Sequence, residues 1–512
     1  MSVMAVEIGA SRLLAPYFSS SQIVWTIIIG TIMIALALGN VFGGRWADAN
    51  PDPGRLFRRI MLAAVWIAAI PILGRYVIVA ITGILVVAVE TNLLIWAAFV
   101  TCMIVFVFPL FLLGTVTPSL IKFTVSSLDE SGRIAGRLGA CNTIGSILGT
   151  FLPTFVTIPA VGTAVSFMIF SGVLLVLALV YFITTGGWRK GCTIATAVFL
   201  VCSILAGTVH FAFWERELTY EGESIYNYLQ VKDTDQATIL STNVLFGVQS
   251  MRVKDDGLTH MYYDTALAAP VMAALAEKDH PRVLVLGMGT GTFASQVARY
   301  FPNAEVSGVE IDARITDLAH EYFALPESVP VATYDGRAYL AADSGKYDVI
   351  MVDAYQDITI PFQMSSVEFF DLVKSHLTAD GVMVCNLNMR GQGEDDIAAW
   401  LCDTIASVFP EVAVADVDGS YNREVFATVH GAPRERLQDN LASVTDFELA
   451  NRMRQVRSAM TRWQAGEHIL TDDKAPVELL GMRTIDGMIS AQIGYYKEIL
   501  RRDGLDGLLA SL

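Results

Sequence analysis

Four stretches decide how the chain folds: RVLVLGMGTGT at 282–292, AEVSGVEID at 304–312, ATYDGRAYL at 332–340 and KYDVIMVDAY at 346–355. Each is a short apolar run that ends on a polar residue, the pattern of successive parallel strands with helices between them. The first run ends in Gly287, Gly289 and Gly291, and a helical pattern begins at Thr292. Glycines at such a strand-to-helix turn let the backbone turn sharply and approach a nucleotide-like ligand closely. Glu310 ends the second run, about twenty residues on, where an acid accepts hydrogen bonds from ribose hydroxyls.

The third strand end carries Asp335-Gly336. An aspartate there can accept the exocyclic amine of an adenine, or it can simply open the turn before Arg337. At the place of the third glycine of a dinucleotide fingerprint stand Ala294 and Ser295. The reading favoured is an S-adenosyl-type ligand over a dinucleotide. Asp353 ends the fourth strand, placed either to act on substrate or to cap the following loop.

The 512 residues leave room for more than one domain, and a mean hydropathy of +0.49 with 53% hydrophobic residues exceeds that of an ordinary soluble chain. The excess lies in residues 1–213, which hold 11 Lys/Arg and 6 Asp/Glu, a net of +5. Residues 214–512 hold the remaining 24 basic and 45 acidic residues, a net of −21. So acidic a half argues against nucleic acid as a partner, because phosphate contacts need basic residues. It suits a cationic substrate, although solvation alone also explains it. None of the six cysteines forms a CxxC pair, and the histidines are scattered. Buried free thiols and no metal site are the expectation.

Apolar runs near 22–44, 58–74, 93–118, 138–160, 163–185 and 191–213 approach the length of a membrane-crossing helix. With 1–15 and 76–89 they predict seven or eight spans. The start lacks the basic flank of a signal peptide, and Glu7 and Arg12 interrupt it. Three basic loops, around Arg45, Arg55, Arg58 and Arg59, around Lys122, Arg133 and Arg137, and at Arg189-Lys190, favour the cytoplasmic side. That pattern sends the end of 191–213 outward, whereas a domain using an S-adenosyl metabolite belongs in the cytoplasm; the second consideration is given more weight. Gly132, Gly136, Gly145 and Gly149 predict close helix packing, and only Glu7 and Glu90 place acids near the spans.

EIGASRLLAPYFSSSQIVW at 7–25, GNVFGGRWAD at 39–48 and GRIAGRLGACNTIGSILGTFLPTFVTIPAVGT at 132–163 resemble the membrane half of fused major-facilitator-like/spermidine-synthase-like proteins. Residues 223–430 resemble spermidine synthase, an aminopropyltransferase. The resemblance implies decarboxylated S-adenosylmethionine as co-substrate and a polyamine amine as acceptor, with Glu310 on the ribose and Asp335-Gly336 on the adenine. It further implies Asp353 as the proton acceptor, Tyr262 beside the acceptor amine, and Gln249 at the donor. Gly287, Gly289, Gly291 and Asp312 complete the expected donor site; Tyr263, Asp264, Asp357 and Asp473 are candidates on the acceptor side.

The chain departs from the family pattern at several positions. Gln356 replaces the second aspartate of the loop after the fourth strand, Thr290 replaces an acid in the glycine loop, Tyr263 stands for His or Gln, and Asn227 for a glutamine. Asp357, or Asp472 and Asp473 of LTDDKAPVELL, are candidate substitutes for the lost carboxylates.

The expected architecture is a multi-pass helical membrane domain (1–213), a small β-element with a lead-in helix (214–280), a methyltransferase-like Rossmann domain (281–432) and an amphipathic helical region (433–512). Expected partners are the lipid bilayer and a small cationic amine, with a homodimer left open. A methyltransferase using S-adenosylmethionine is the rival enzyme, and a transporter or sensor with a ligand-binding soluble half is the rival outside enzymes.

Overall fold

The computed structural model describes the chain apart from residues 19, 90, 126–127, 216–217, 245–247, 256, 356–359, 392–395 and 512. Glu90, Gln356 and Asp357 therefore lie outside the described residues. The chain divides into two compact units, one of residues 1–216, 221–228 and 243–245, the other of 217–220, 229–242 and 246–512.

The first unit is helical. Among the described residues five helices are long and apolar enough to cross a membrane: Gln22–Ala49, Pro53–Val86, Val107–Thr124, Ser131–Thr185 and Arg189–Ala206. These helices do not map one to one onto the apolar runs read in the sequence, for local reasons. The runs at 58–74 and 76–89 lie in a single helix, Pro53–Ala88, which continues through Pro71. The two runs between 138 and 185 join through a π-helical turn, Pro153–Thr157, and the chain breaks from helical geometry at Gly162 (φ 77°). The run at 93–118 is cut near Phe106 into shorter helices.

The packing glycines follow expectation at Gly145 and Gly149 and depart from it at Gly132 and Gly136. A Cβ at Gly132 or Gly136 would meet nothing within 4 Å, whereas one at Gly149 would lie 2.1 Å from the Met1 carbonyl oxygen. Another close helix crossing is at Gly39, where a Cβ would lie 2.4 Å from the Phe111 carbonyl oxygen. Cys141, on the open outer face of the Leu128–Leu152 helix, is exposed, and Cys192, on the helix Arg189–Ala206, is half-buried, against the expectation of burial.

The second unit holds the sheet that organises the site. Strands β1 (Leu218–Glu223), β2 (Tyr228–Asp233), β3 (Ala237–Ser241) and β4 (Ser250–Val253) form a small sheet in that order. The eight others are β5 (Arg282–Leu286), β6 (Glu305–Glu310), β7 (Val331–Thr333), β8 (Tyr347–Val352), β9 (Leu377–Leu387), β10 (Glu411–Asp416), β11 (Arg423–Thr428) and β12 (Thr461–Trp463). They lie in the order β12-β10-β11-β9-β8-β5-β6-β7. Pairing is parallel from β7 through β9 and antiparallel beyond.

β8 is buried at every residue, as expected of a strand covered on both faces, and its YDVIMV run shows no alternation for the same reason. Val283, Val285, Val349, Met351, Val382, Val384 and Phe426 build the core on one face, at the period of two that a strand imposes. The region 433–512, expected to be helical, also contributes β12, whose Trp463 pairs with Val412 on the free edge of β10. That pairing satisfies backbone groups an open edge would leave unpaired.

The chain leaves β5 toward β6 and β7, then returns to the other side of β5 as β8. Crevices at such a reversal, outside the carboxyl ends of the strands, are where open α/β sheets bind ligands.

Candidate active site

All four strand-end positions legible in the sequence arrive at this edge. Gly287, Gly289 and Gly291 have φ of 83°, 54° and 79°, so the turn after β5 uses backbone that side-chain-bearing residues avoid. Gly287 is needed for space as well: a Cβ there would sit 2.4 Å from the Asp353 carbonyl oxygen. Gly287→Ala is therefore expected to cost roughly 2 kcal/mol or more in stability and to displace Asp353. Thermal unfolding beside a turnover assay checks both. At Gly289, by contrast, a Cβ would meet only Ser250 Oγ, at 3.7 Å, so this part of the loop faces open space.

Glu310 closes β6 and turns back onto the loop. Its Oε2 accepts from Gly289 N (2.8 Å) and its Oε1 from Asp312 N (3.0 Å). Burial raises its pKa, and those two amides oppose the rise. Each carboxylate oxygen keeps a lone pair for a further donor, which is what a ribose diol requires. Asp312 itself caps the helix Ala313–Tyr322, Oδ1 accepting from Arg314 N at 3.1 Å, so its carboxylate does structural work at the site's margin. Asp335 caps the helix Gly336–Ala342 by accepting from Ala338 N at 2.8 Å. Between these acids Ile311 and Tyr334 are exposed, apolar surfaces on which a flat base can rest. A Cβ at Gly336 would come 3.2 Å from Met364 Cε.

Asp353 follows β8 and is partly buried. Tyr262, which opens the short helix Tyr262–Ala266, donates its hydroxyl to Asp353 Oδ2 at 2.6 Å. Asn386 Nδ2, from β9, donates to Oδ1 at 2.8 Å. Burial pushes the carboxyl up to about 7, against the pull of these two donors and with the nearby charge of Glu310 adding to the rise. The Tyr262 hydroxyl is raised well above its ordinary value by burial and then by the Asp353 charge. It remains a hydrogen-bond donor, and Asp353 is the group poised to exchange a proton near neutrality.

Tyr263 is brought beside Tyr262 with ring centroids 4.0 Å apart, but its hydroxyl turns toward Ser250 Oγ at 3.2 Å. Ser250 Oγ in turn meets Thr290 Oγ1 at 2.5 Å. Thr290, where the family pattern has an acid, is 1% exposed, and its hydroxyl joins the glycine loop to Ser250 of β4. Gln249 precedes Ser250, its N–H on the Leu240 carbonyl oxygen at 2.9 Å, which sets this segment against the loop.

Two candidates for the acceptor side have other work. Asp264 accepts from Thr259 N, Thr259 Oγ1 and His260 N at 2.6–2.9 Å and is buried, so it pins the turn before Tyr262. Asp472 forms a two-pronged pair with Arg337 (2.7 and 2.6 Å) and accepts from Ser366 Oγ. It ties the C-terminal region to the segment after Gly336. Asp473 is exposed in the adjoining turn. Asn227 belongs to the first unit.

A cavity of about 450 Å³ lies against the helix Thr292–Tyr300, with Arg252, Thr290, Gln296 and Arg299 among its walls. Asp353, Glu310 and Asp335 do not line it.

Sequence reasoning missed Asn386, whose signal was a lone amide in the apolar run VMVCNL, and the hydroxyl cluster of Ser250, Tyr263, Thr290 and Thr292.

Fold and site together define a transferase of the methyltransferase-like class, with a nucleoside-type crevice and a partly buried strand-end acid beside it. The family described as "Spermine/spermidine synthase domain" matches residues 262–417. The chain is 51% identical over 355 residues to a Bifidobacterium longum protein described as "Probable polyamine aminopropyl transferase", a match spanning 65% of this chain and 78% of that protein. It is 27% identical over 296 residues to the polyamine aminopropyltransferase of Vibrio vulnificus, covering 55% of this chain and 96% of the relative. A solved spermidine synthase in complex with the transition-state analogue AdoDATO is 17% identical, covering 45% of this chain and 79% of that one, with a TM-score of 0.36. The chain belongs to the polyamine aminopropyltransferase family.

Proposed function

We propose that the chain transfers an aminopropyl group from decarboxylated S-adenosylmethionine to an amine, with Asp353 as the proton acceptor. The observation that carries this is the Asp353 site itself: a carboxylate poised near neutrality, held by Tyr262 and Asn386 beside the glycine turn. The acceptor arrives as an ammonium, which Asp353 attracts and deprotonates. The freed amine lone pair attacks the methylene carbon next to the sulfonium. The carbon–sulfur bond breaks with its electron pair going to sulfur, leaving a neutral thioether nucleoside. Sulfonium is a good leaving group, so alignment and proton removal are the main tasks left to the protein.

The donor fits the residues present. Gly289 opens toward the ligand, Glu310 keeps lone pairs for the ribose, Asp335 stands where it can meet the adenine amine, and Ile311 and Tyr334 offer apolar faces. The five long apolar helices and the basic loops support a multi-pass membrane protein, and the donor's intracellular origin supports a cytoplasmic transferase unit.

Calorimetry on the detergent-purified full chain tests the donor. Titration of decarboxylated S-adenosylmethionine is expected to give at least tenfold tighter binding than titration of the intact parent, followed by thioether release with an amine panel. Preference for the intact donor with methylated product would replace this reading by methyl transfer. Binding without turnover would point to a sensor.

A further inference from the structure

Asp353, Asn386 and Glu424 form one row across three neighbouring strands. Val352 is in register with Cys385 on β9, so Asp353 lies level with Asn386, and Asn386 is the register partner of Glu424 on β11. Register partners project to the same face of a sheet. The Asn386 amide reaches Asp353 on one side (2.8 Å) and accepts from Asn422 Nδ2 on the other (2.8 Å). Asn422 and Glu424, two residues apart on the same chain segment, share that face.

Glu424 is 0% exposed, and neither of its carboxyl oxygens has a hydrogen-bond partner among the described residues. A buried carboxyl without a partner is costly, and a native chain that keeps one calls for an explanation. Its electrostatic neighbours include Asp353, Tyr355 and Cys385, and no cation is among the influences resolved on it. Burial, then the Asp353 charge, raises its pKa well above the carboxylate range. Burial thus favours the neutral acid, and an arriving cation would favour the ionised one.

The row also has a useful length. Two strand steps separate Asp353 from Glu424, roughly 10 Å between backbones. An extended short diamine with an ammonium–carboxylate contact at each end spans that distance. Asp472, the other acid considered for this charge among those with described partners, is taken by Arg337.

We infer that Glu424 is the second carboxyl group of the acceptor site, taking the distal ammonium of a short alkane diamine whose reacting amine lies at Asp353. This rests on the transferase reading above. It assigns Glu424 to substrate selection, not to the bond-making step.

The test compares 1,4-diaminobutane with 1-aminobutane on the full chain and its Glu424→Gln variant, by calorimetric binding and by KM and kcat. The variant is expected to raise Kd and KM for the diamine about 10–100-fold, the worth of a charge-assisted contact, while kcat at saturation stays within about threefold. Values for 1-aminobutane are expected to stay within twofold. An unchanged diamine-to-monoamine ratio in Glu424→Gln would overturn the assignment, whether both amines weaken together or neither does. Glu424→Asp keeps the charge on a shorter arm and is expected to move the preference toward 1,5-diaminopentane. It decides the question if the Gln variant does not fold, and loss of the diamine preference with Asp would count against the proposal. If the parent chain transfers to no amine, the transfer reading fails, yet the binding comparison still judges Glu424.

Discussion

Asp353→Asn is expected to lower kcat by about 10²–10⁴-fold at pH 7.5, the usual worth of a positioned general base, while leaving donor affinity within a few-fold. The substitution is nearly isosteric. It keeps a partner for the Tyr262 hydroxyl at one oxygen, and only the oxygen facing Asn386 Nδ2 is at risk of becoming a second amide N–H. Loss of turnover together with loss of donor binding would mean that Asp353 builds the donor site. Turnover within threefold of the parent would remove it from proton transfer altogether. Tyr262→Phe separates positioning from chemistry. Without the phenol the carboxylate loses one of its two described donors, so the pKa of Asp353 is expected to rise and the rate at neutral pH to fall less than with Asn.

The second large effect is on pH dependence, of both rate and stability. With Asp353 raised to about 7, the acid limb of kcat/KM is expected near neutrality, with the rate rising as the carboxyl loses its proton. Bound cationic substrates favour the ionised form, so the limb in kcat is expected at lower pH than the limb in kcat/KM. Coincident limbs well below pH 6 would assign the profile to another group. Stability has the opposite sign. Here the native pKa lies above the unfolded value, so the folded chain binds this proton more tightly than the unfolded chain does. Stability therefore falls as pH rises from about 4 through about 7 and levels off above. The loss is on the order of 2–4 kcal/mol once partial solvent contact is allowed for. Asp353→Asn escapes that loss. Thermal unfolding at pH 5 and pH 8 is expected to show the variant gaining on the parent as pH increases, a gain in stability for a loss in activity. A pH-independent gap between the two would refute the raised carboxyl.

Other parts of the site were only half legible. Asp264 and Asp472 looked like carboxylates available to a cationic acceptor, yet each is taken up by local donors, Thr259 and His260 for the first and Arg337 and Ser366 for the second. Thr290 read as a lost acid in a ligand loop, and it turns inward to Ser250. In each case the residue type was visible and its partner was not, because the partner is brought by folding from elsewhere in the chain. The helical half shows the same limit. Apolar composition marked it as membrane-like, but whether two runs form one helix or two depends on breaks such as Gly162, whose φ of 77° has no compositional signature.

What the sequence by itself determined is the order of acids at the sheet edge. In a parallel βα layout every strand delivers its carboxyl end to the same side, so Gly287, Glu310, Asp335 and Asp353 had to converge there. Only the tertiary structure decided which groups from the antiparallel strands join them. Asn386 and Glu424 come from separate strands, and their place in one row with Asp353 rests on a register that one residue of slip would destroy, turning their side chains to the opposite face.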